Sequence, residues 1–96
     1  MTATELIQQA LRAHDVVAFT KSWCPHCKRA VSALQQLDVF HNEVIDDRAD
    51  EAEIQDELKK LSGIRTVPQV FVKGKFFGDG SKTVAAITNG ELQKLL

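Results

Sequence analysis

Asp15-Val16-Val17-Ala18-Phe19-Thr20-Lys21-Ser22-Trp23-Cys24-Pro25-His26-Cys27 is the stretch that decides the fold. Its apolar run, Val16 to Phe19 between polar residues, has the pattern of a short strand buried on both faces. Pro25 suits a first helical turn. Beyond it, Cys27, Ala30, Val31, Leu34 and Leu37 make an apolar stripe opposite Lys28, Arg29, Gln35 and Gln36. A buried strand therefore runs through the loop Lys21-Ser22-Trp23 into a helix, with Cys24 at the helix N-terminus and Cys27 one turn further in.

Working outward, Thr2 and Glu5 have capping-box spacing ahead of Leu6, Ile7, Ala10 and Leu11, so the chain opens with an amphipathic helix ending near His14. Downstream, Phe40 to Ile45 predicts a second strand. Ile54, Leu58 and Leu61 predict a helix that stops at Gly63, a residue suited to a left-handed cap. Val67 to Val72 and Phe76-Phe77 flank Lys73-Gly74-Lys75, a hairpin signal that makes the last two strands antiparallel. The turn Gly78-Asp79-Gly80-Ser81 leads into a final helical stretch bearing Val84, Ile87, Leu92 and Leu95. Right-handed crossover makes the first two strands parallel. These elements predict an α/β fold: a four-stranded mixed sheet with helices on both faces.

Ninety-six residues suffice for one domain, expected over residues 1–96, and leave no room for a second. Twelve basic and 13 acidic residues leave a net charge of -1, which provides no broad field for nucleic acid or an anionic membrane. No apolar run approaches the roughly 20 residues of a membrane span, and Thr2, Thr4 and Glu5 do not begin a secretory signal. A cytoplasmic protein with no nucleic-acid or membrane partner is expected. In a reducing compartment two cysteines do not persist as a staple, so catalysis or metal binding becomes the question.

Unpaired N–H groups and the dipole at a helix N-terminus favour a thiolate at Cys24, as do Lys21 and a protonated His26. A thiolate attacks a disulfide sulfur to form a mixed disulfide, which a second thiol resolves. The two-residue spacing keeps Cys27 in reach for that step. The same pair read as half of a zinc site finds only His14, His26 and His41 elsewhere, none in a clustered pair, so no metal site is expected. Trp23 reads equally as a core aromatic or as a shield for the dithiol, and His26 as a tuning residue or a solvent-facing one.

Lys21-Ser22-Trp23-Cys24-Pro25-His26-Cys27, Gly63-Ile64-Arg65-Thr66-Val67-Pro68 and Gly78-Asp79-Gly80-Ser81 together resemble a dithiol glutaredoxin over nearly the whole chain. The resemblance implies a thioredoxin-like fold with a cis Val67–Pro68 bond facing Cys24. It implies that Lys21 and Gln55 hold the glycine carboxylate of glutathione, with Arg65 near enough to help. Thr66 and Val67 would pair with the cysteinyl backbone, and the N–H groups of Gly80 and Ser81 would take the γ-glutamyl carboxylate. Helix N-termini bind anions on general grounds as well. Cys24, His26 and Pro68 complete the implied glutathione-binding set.

Two positions depart from the family pattern: His26 stands where an aromatic is usual, and Gly78-Asp79 with Lys82 replaces a double glycine and an acid. Lys82 is therefore expected to repel the γ-glutamyl ammonium, with Asp79 as a substitute partner. A glutathione conjugate, such as a polyamine conjugate, becomes a candidate thiol. The resemblance implies a monomeric glutathione-type oxidoreductase with no tightly bound cofactor. Its co-substrate would be glutathione or a related low-molecular-weight thiol, and its partners disulfide-containing or glutathionylated proteins. Two rivals stand beside it. A thioredoxin-type disulfide reductase recycled by a flavoprotein is opposed by Lys21, Gln55 and Gly80-Ser81. An iron–sulfur cluster carrier sharing a cluster between two subunits is opposed by the stiffening of the motif at Pro25.

Overall fold

The computed structural model describes residues 1–96. The chain order is α1 (Ala3–Ala13), β1 (Val16–Thr20), α2 (Pro25–Leu34), β2 (Phe40–Val44), α3 (Glu51–Ser62), β3 (Gln69–Val72), β4 (Lys75–Gly78) and α4 (Gly80–Asn89). A short 3-10 turn, Gln93–Leu95, follows. One four-stranded sheet has the order β2-β1-β3-β4, with β1 parallel to β2 and antiparallel to β3, and β3 antiparallel to β4.

Alternation along β1 divides the core in two. Val17 and Phe19 face α1 and α3, joining Ile7, Ile54, Leu58 and Phe71. Val16 and Ala18 face α2 and α4, joining Leu34, Val70, Ile87 and Leu92. A strand covered on both faces is apolar at nearly every position, and all five residues of β1 are buried, Thr20 being the one polar member. Phe71 is the pivot of the first layer, packing edge-on to Phe19 and Phe76 at centroid distances of 5.6 Å each. No helix is long and apolar enough to cross a membrane.

The local signals act as their chemistry dictates. Thr2 and Glu5 form the reciprocal capping box of α1, with bonds of 3.1 and 3.0 Å. Gly63 caps α3 in the left-handed region at φ 84°, where a Cβ is disfavoured. Lys73 and Gly74 both have positive φ, the pairing that a two-residue hairpin turn requires.

Several boundaries differ from expectation. The third strand begins at Gln69, not Val67, because the proline there offers no N–H to the ladder; the Val67–Pro68 bond is cis, as the resemblance implied. Gly78 belongs to β4, leaving only Asp79 between the strand and α4. Leu61 is 47% exposed and Leu95 51% exposed, so neither is a core position. Leu61 lies one turn beyond the sheet-facing pair Ile54 and Leu58. Leu37 lies past the end of α2, and Leu92 past the left-handed cap at Gly90, yet both pack into the second layer as the chain folds back. Phe40–Val44 is an edge strand, half-buried throughout.

Candidate active site

Cys24 is the N-cap of α2, in extended backbone at φ -87° and ψ 117°. Its own N–H donates to the Lys21 carbonyl at 3.3 Å, and the Cys27 N–H donates to its Sγ at 3.3 Å. The sulfur thus stands where a helix terminus presents unsatisfied donors, an arrangement that favours negative charge on it. Cys27 sits one turn into the helix, 2% exposed against 6% for Cys24. Both are free thiols. Burial first, and then the hydrogen bond and charge of Cys24, push the Cys27 thiol from the usual 9.0 up to about 12. The two sulfurs are therefore unequal: Cys24 stands at the helix N-terminus, and Cys27, one turn further in, is held protonated.

The loop before Cys24 is fixed from across the fold. Asp46, at the end of the β2 segment, accepts from both the N–H and the hydroxyl of Ser22, and those bonds hold its carboxyl below the usual carboxylate range. Trp23 is 67% exposed, so the core-aromatic reading fails; Lys21 Nζ lies 5.8 Å from its ring centroid.

The remaining predicted residues join into a closed circuit. Lys21 Nζ donates to Gln55 Oε1 at 3.3 Å, and Gln55 Nε2 donates to the Arg65 carbonyl at 3.0 Å. From Arg65 the chain runs through Thr66 and Val67 to Pro68. A Cβ added to Gly80 would stand 3.1 Å from Pro68 Cγ and 3.2 Å from the His26 carbonyl, so a side chain there would have to push one of them back by a few tenths of an ångström. His26 returns the circuit to Cys24. A cleft of about 270 Å³ opens between these segments, lined by His26, by Thr66, Val67 and Pro68, and by Asp79, Gly80 and Ser81.

Three side chains lie elsewhere than anticipated. Lys82 does not reach into the cleft: its stem crosses Gly78 and its Nζ stands 4.9 Å above the Phe77 ring. The expected repulsion of a ligand ammonium therefore lacks a source. Lys82→Asp should change the KM for a thiol ligand that carries an ammonium group by less than about twofold even at low salt, a ratio that steady-state kinetics would read directly. Arg65 donates to Asp56 Oδ1 at 2.9 Å and to the Ala52 carbonyl, turning its guanidinium onto α3. His26 Nδ1 accepts from Arg29 at 2.9 Å, since a guanidinium can only donate. Both side chains lie on the exposed face of α2, so the solvent-facing reading of His26 is the one that fits.

Sequence reasoning passed over three supports. Asp79 is the N-cap of α4, accepting from the Lys82 N–H at 2.9 Å, which orders the turn that carries Gly80 and Ser81. Gln69, fully buried, donates to the carbonyls of Ile64 and Thr66 at 2.8 and 3.0 Å and so pins the loop before Pro68. A glutamine inside an otherwise apolar strand was the available signal. Glu51 lies 3.4 Å from Lys21 Nζ. Nothing in its sequence position at a helix start distinguishes that contact from ordinary helix-dipole pairing.

The glutaredoxin family model matches residues 16–77. Glutaredoxin-C8 of Oryza sativa subsp. japonica is 44% identical over 96 residues, spanning 97% of this chain and 71% of that protein. Among solved structures, oxidized glutaredoxin 2 from Chlamydomonas reinhardtii superposes with a TM-score of 0.83 at 38% identity, covering 100% of this chain and 94% of that one. A buckwheat glutaredoxin–glutathione complex superposes at 0.81 with 28% identity, covering 98% and 89%.

Proposed function

The chain belongs to the glutaredoxin family and is a thiol–disulfide oxidoreductase, and from that premise we propose that glutathione is its co-substrate and that it reduces glutathione mixed disulfides and protein disulfides as a monomer. One observation carries this reading. The circuit that includes Cys24 carries two separate anion acceptors: the Lys21–Gln55 pair, and the N-terminal N–H groups of α4 at Gly80 and Ser81. Glutathione carries a carboxylate at each end and its thiol between them, which matches that layout. The similarity to a glutaredoxin solved with glutathione supports it.

In the reaction, the Cys24 thiolate attacks the glutathionyl sulfur of a mixed disulfide, and the substrate thiolate leaves and is protonated. A second glutathione thiolate then attacks that same glutathionyl sulfur, releasing glutathione disulfide and restoring the Cys24 thiolate. With a protein disulfide, Cys24 forms a mixed disulfide to the protein, and Cys27 attacks the Cys24 sulfur to expel the protein thiol. Once Cys24 is bonded it no longer carries a negative charge, so one of the causes that hold Cys27 protonated disappears at the moment its attack is required. Two glutathiones then reduce the Cys24–Cys27 disulfide.

The test is turnover of a small glutathionylated disulfide with glutathione plus its reductase, set against a flavoprotein thioredoxin reductase as the electron source. Turnover is expected only with glutathione. Lys21→Ala should raise the KM for glutathione by about fivefold with kcat little changed, since it removes a partner of the glycine carboxylate in both ground and transition states. Turnover driven by the flavoprotein alone would overturn the assignment.

A further inference from the structure

Lys21, the cation assigned above to the glycine carboxylate, already has a carboxylate on it. Its Nζ stands 3.4 Å from Glu51 Oε2 and 3.3 Å from Gln55 Oε1, with the lysine side chain 14% exposed and that of Glu51 34%. Glu51 is the first residue of α3, where the helix dipole favours a negative charge, and α3 has no side-chain cap to compete for that place. The neighbourhood is acidic as well, since the Asp46 carboxylate also interacts with Lys21. An arriving ligand carboxylate must either displace Glu51 from Lys21 or sit beside it as a like charge. An amide at the same position meets neither cost, and a cationic extension would be attracted to the carboxylates.

We propose that Glu51 is the specificity-determining residue of this site: it competes for Lys21 and shifts the thiol preference away from a free glycine carboxylate, toward thiols in which that carboxylate is amidated or carries a cationic group. The inference rests on the glutathione reading above. Gln55 holds Lys21 in place whether or not Glu51 is charged, so neutralising Glu51 leaves the lysine positioned and only removes its competitor.

The experiment measures kcat and KM for glutathione and for glutathione amidated at glycine, in the wild-type protein, Glu51→Gln and the Glu51→Gln/Lys21→Ala pair, at low and high salt. Glu51→Gln is expected to lower the KM for glutathione about three- to fivefold with kcat unchanged and to leave the KM for the amide unaltered. The gain should shrink at high salt and vanish in the double variant, because the effect acts through the Lys21 charge. An unchanged ratio of the two KM values in Glu51→Gln, with the wild-type protein active on both thiols, would overturn the role of Glu51 and leave the glutathione reading standing. Wild-type protein inactive with both thiols would instead overturn the glutathione reading and this inference with it.

Discussion

Cys24→Ser is expected to reduce turnover of a glutathionylated substrate by roughly 10³-fold or more, to the uncatalysed background, while Cys27→Ser keeps it within about threefold of wild type. The asymmetry follows from where each sulfur sits. Cys24 Sγ stands at the N-cap of α2 and accepts from the Cys27 backbone N–H, a donor that survives replacement of the Cys27 side chain. Cys27 is buried and its thiol is pushed up to about 12, so it contributes little thiolate of its own to a first attack. Against a protein disulfide the pattern changes. There Cys27→Ser loses the internal resolving step and should accumulate a mixed disulfide, visible as a mass increase equal to the bound protein. A parallel assay of both variants on a glutathionylated substrate decides the matter. Equal loss in the two would show that the nucleophile is shared, contrary to the geometry.

The reduced protein should lose stability progressively as pH rises from about 9 toward 12, through Cys27 alone. The sign comes from comparing protons bound in the two states. In the unfolded chain Cys27 ionises near the usual 9.0; in the fold, burial holds its proton to about 12. Between those values the unfolded state has given up a proton that the native state retains, so raising the pH favours unfolding. Below about pH 9 both states are protonated and the contribution is fully present. Urea unfolding of the reduced protein at several pH values, compared with Cys27→Ala, isolates this group from the lysines that also titrate there. The slope difference should vanish below about pH 9 and grow above it. Identical slopes throughout would mean that the Cys27 thiolate is accommodated in the fold.

Much of this protein could be read from its sequence because the signals involved are local. A short apolar run bounded by polar residues fits a strand covered on both faces, and all of β1 is buried. The Thr2–Glu5 capping box, the left-handed cap at Gly63 and the hairpin turn act within a few residues of backbone, and all three form, the turn taking two residues, Lys73-Gly74, where three were expected. Cys24 at a helix start follows from the strand, the loop and Pro25 together. What the sequence could not reveal depends on which side chains meet after the chain has folded. Leu61 and Leu95 have the same apolar character as Leu58 and Leu92 but lie on faces that no layer covers. Lys82 has the flexibility to reach the cleft or to lie over Phe77, and the bare surface of Gly78 decides for Phe77. Lys21 and Glu51 are 30 residues apart, and only the packing of α3 beside the end of β1 brings their charges within 3.4 Å. Placement of the nucleophile is a matter of local backbone geometry, legible from neighbouring residues, whereas the charge environment of its ligand is set by long side chains from separate elements, whose partners exist only in the tertiary fold.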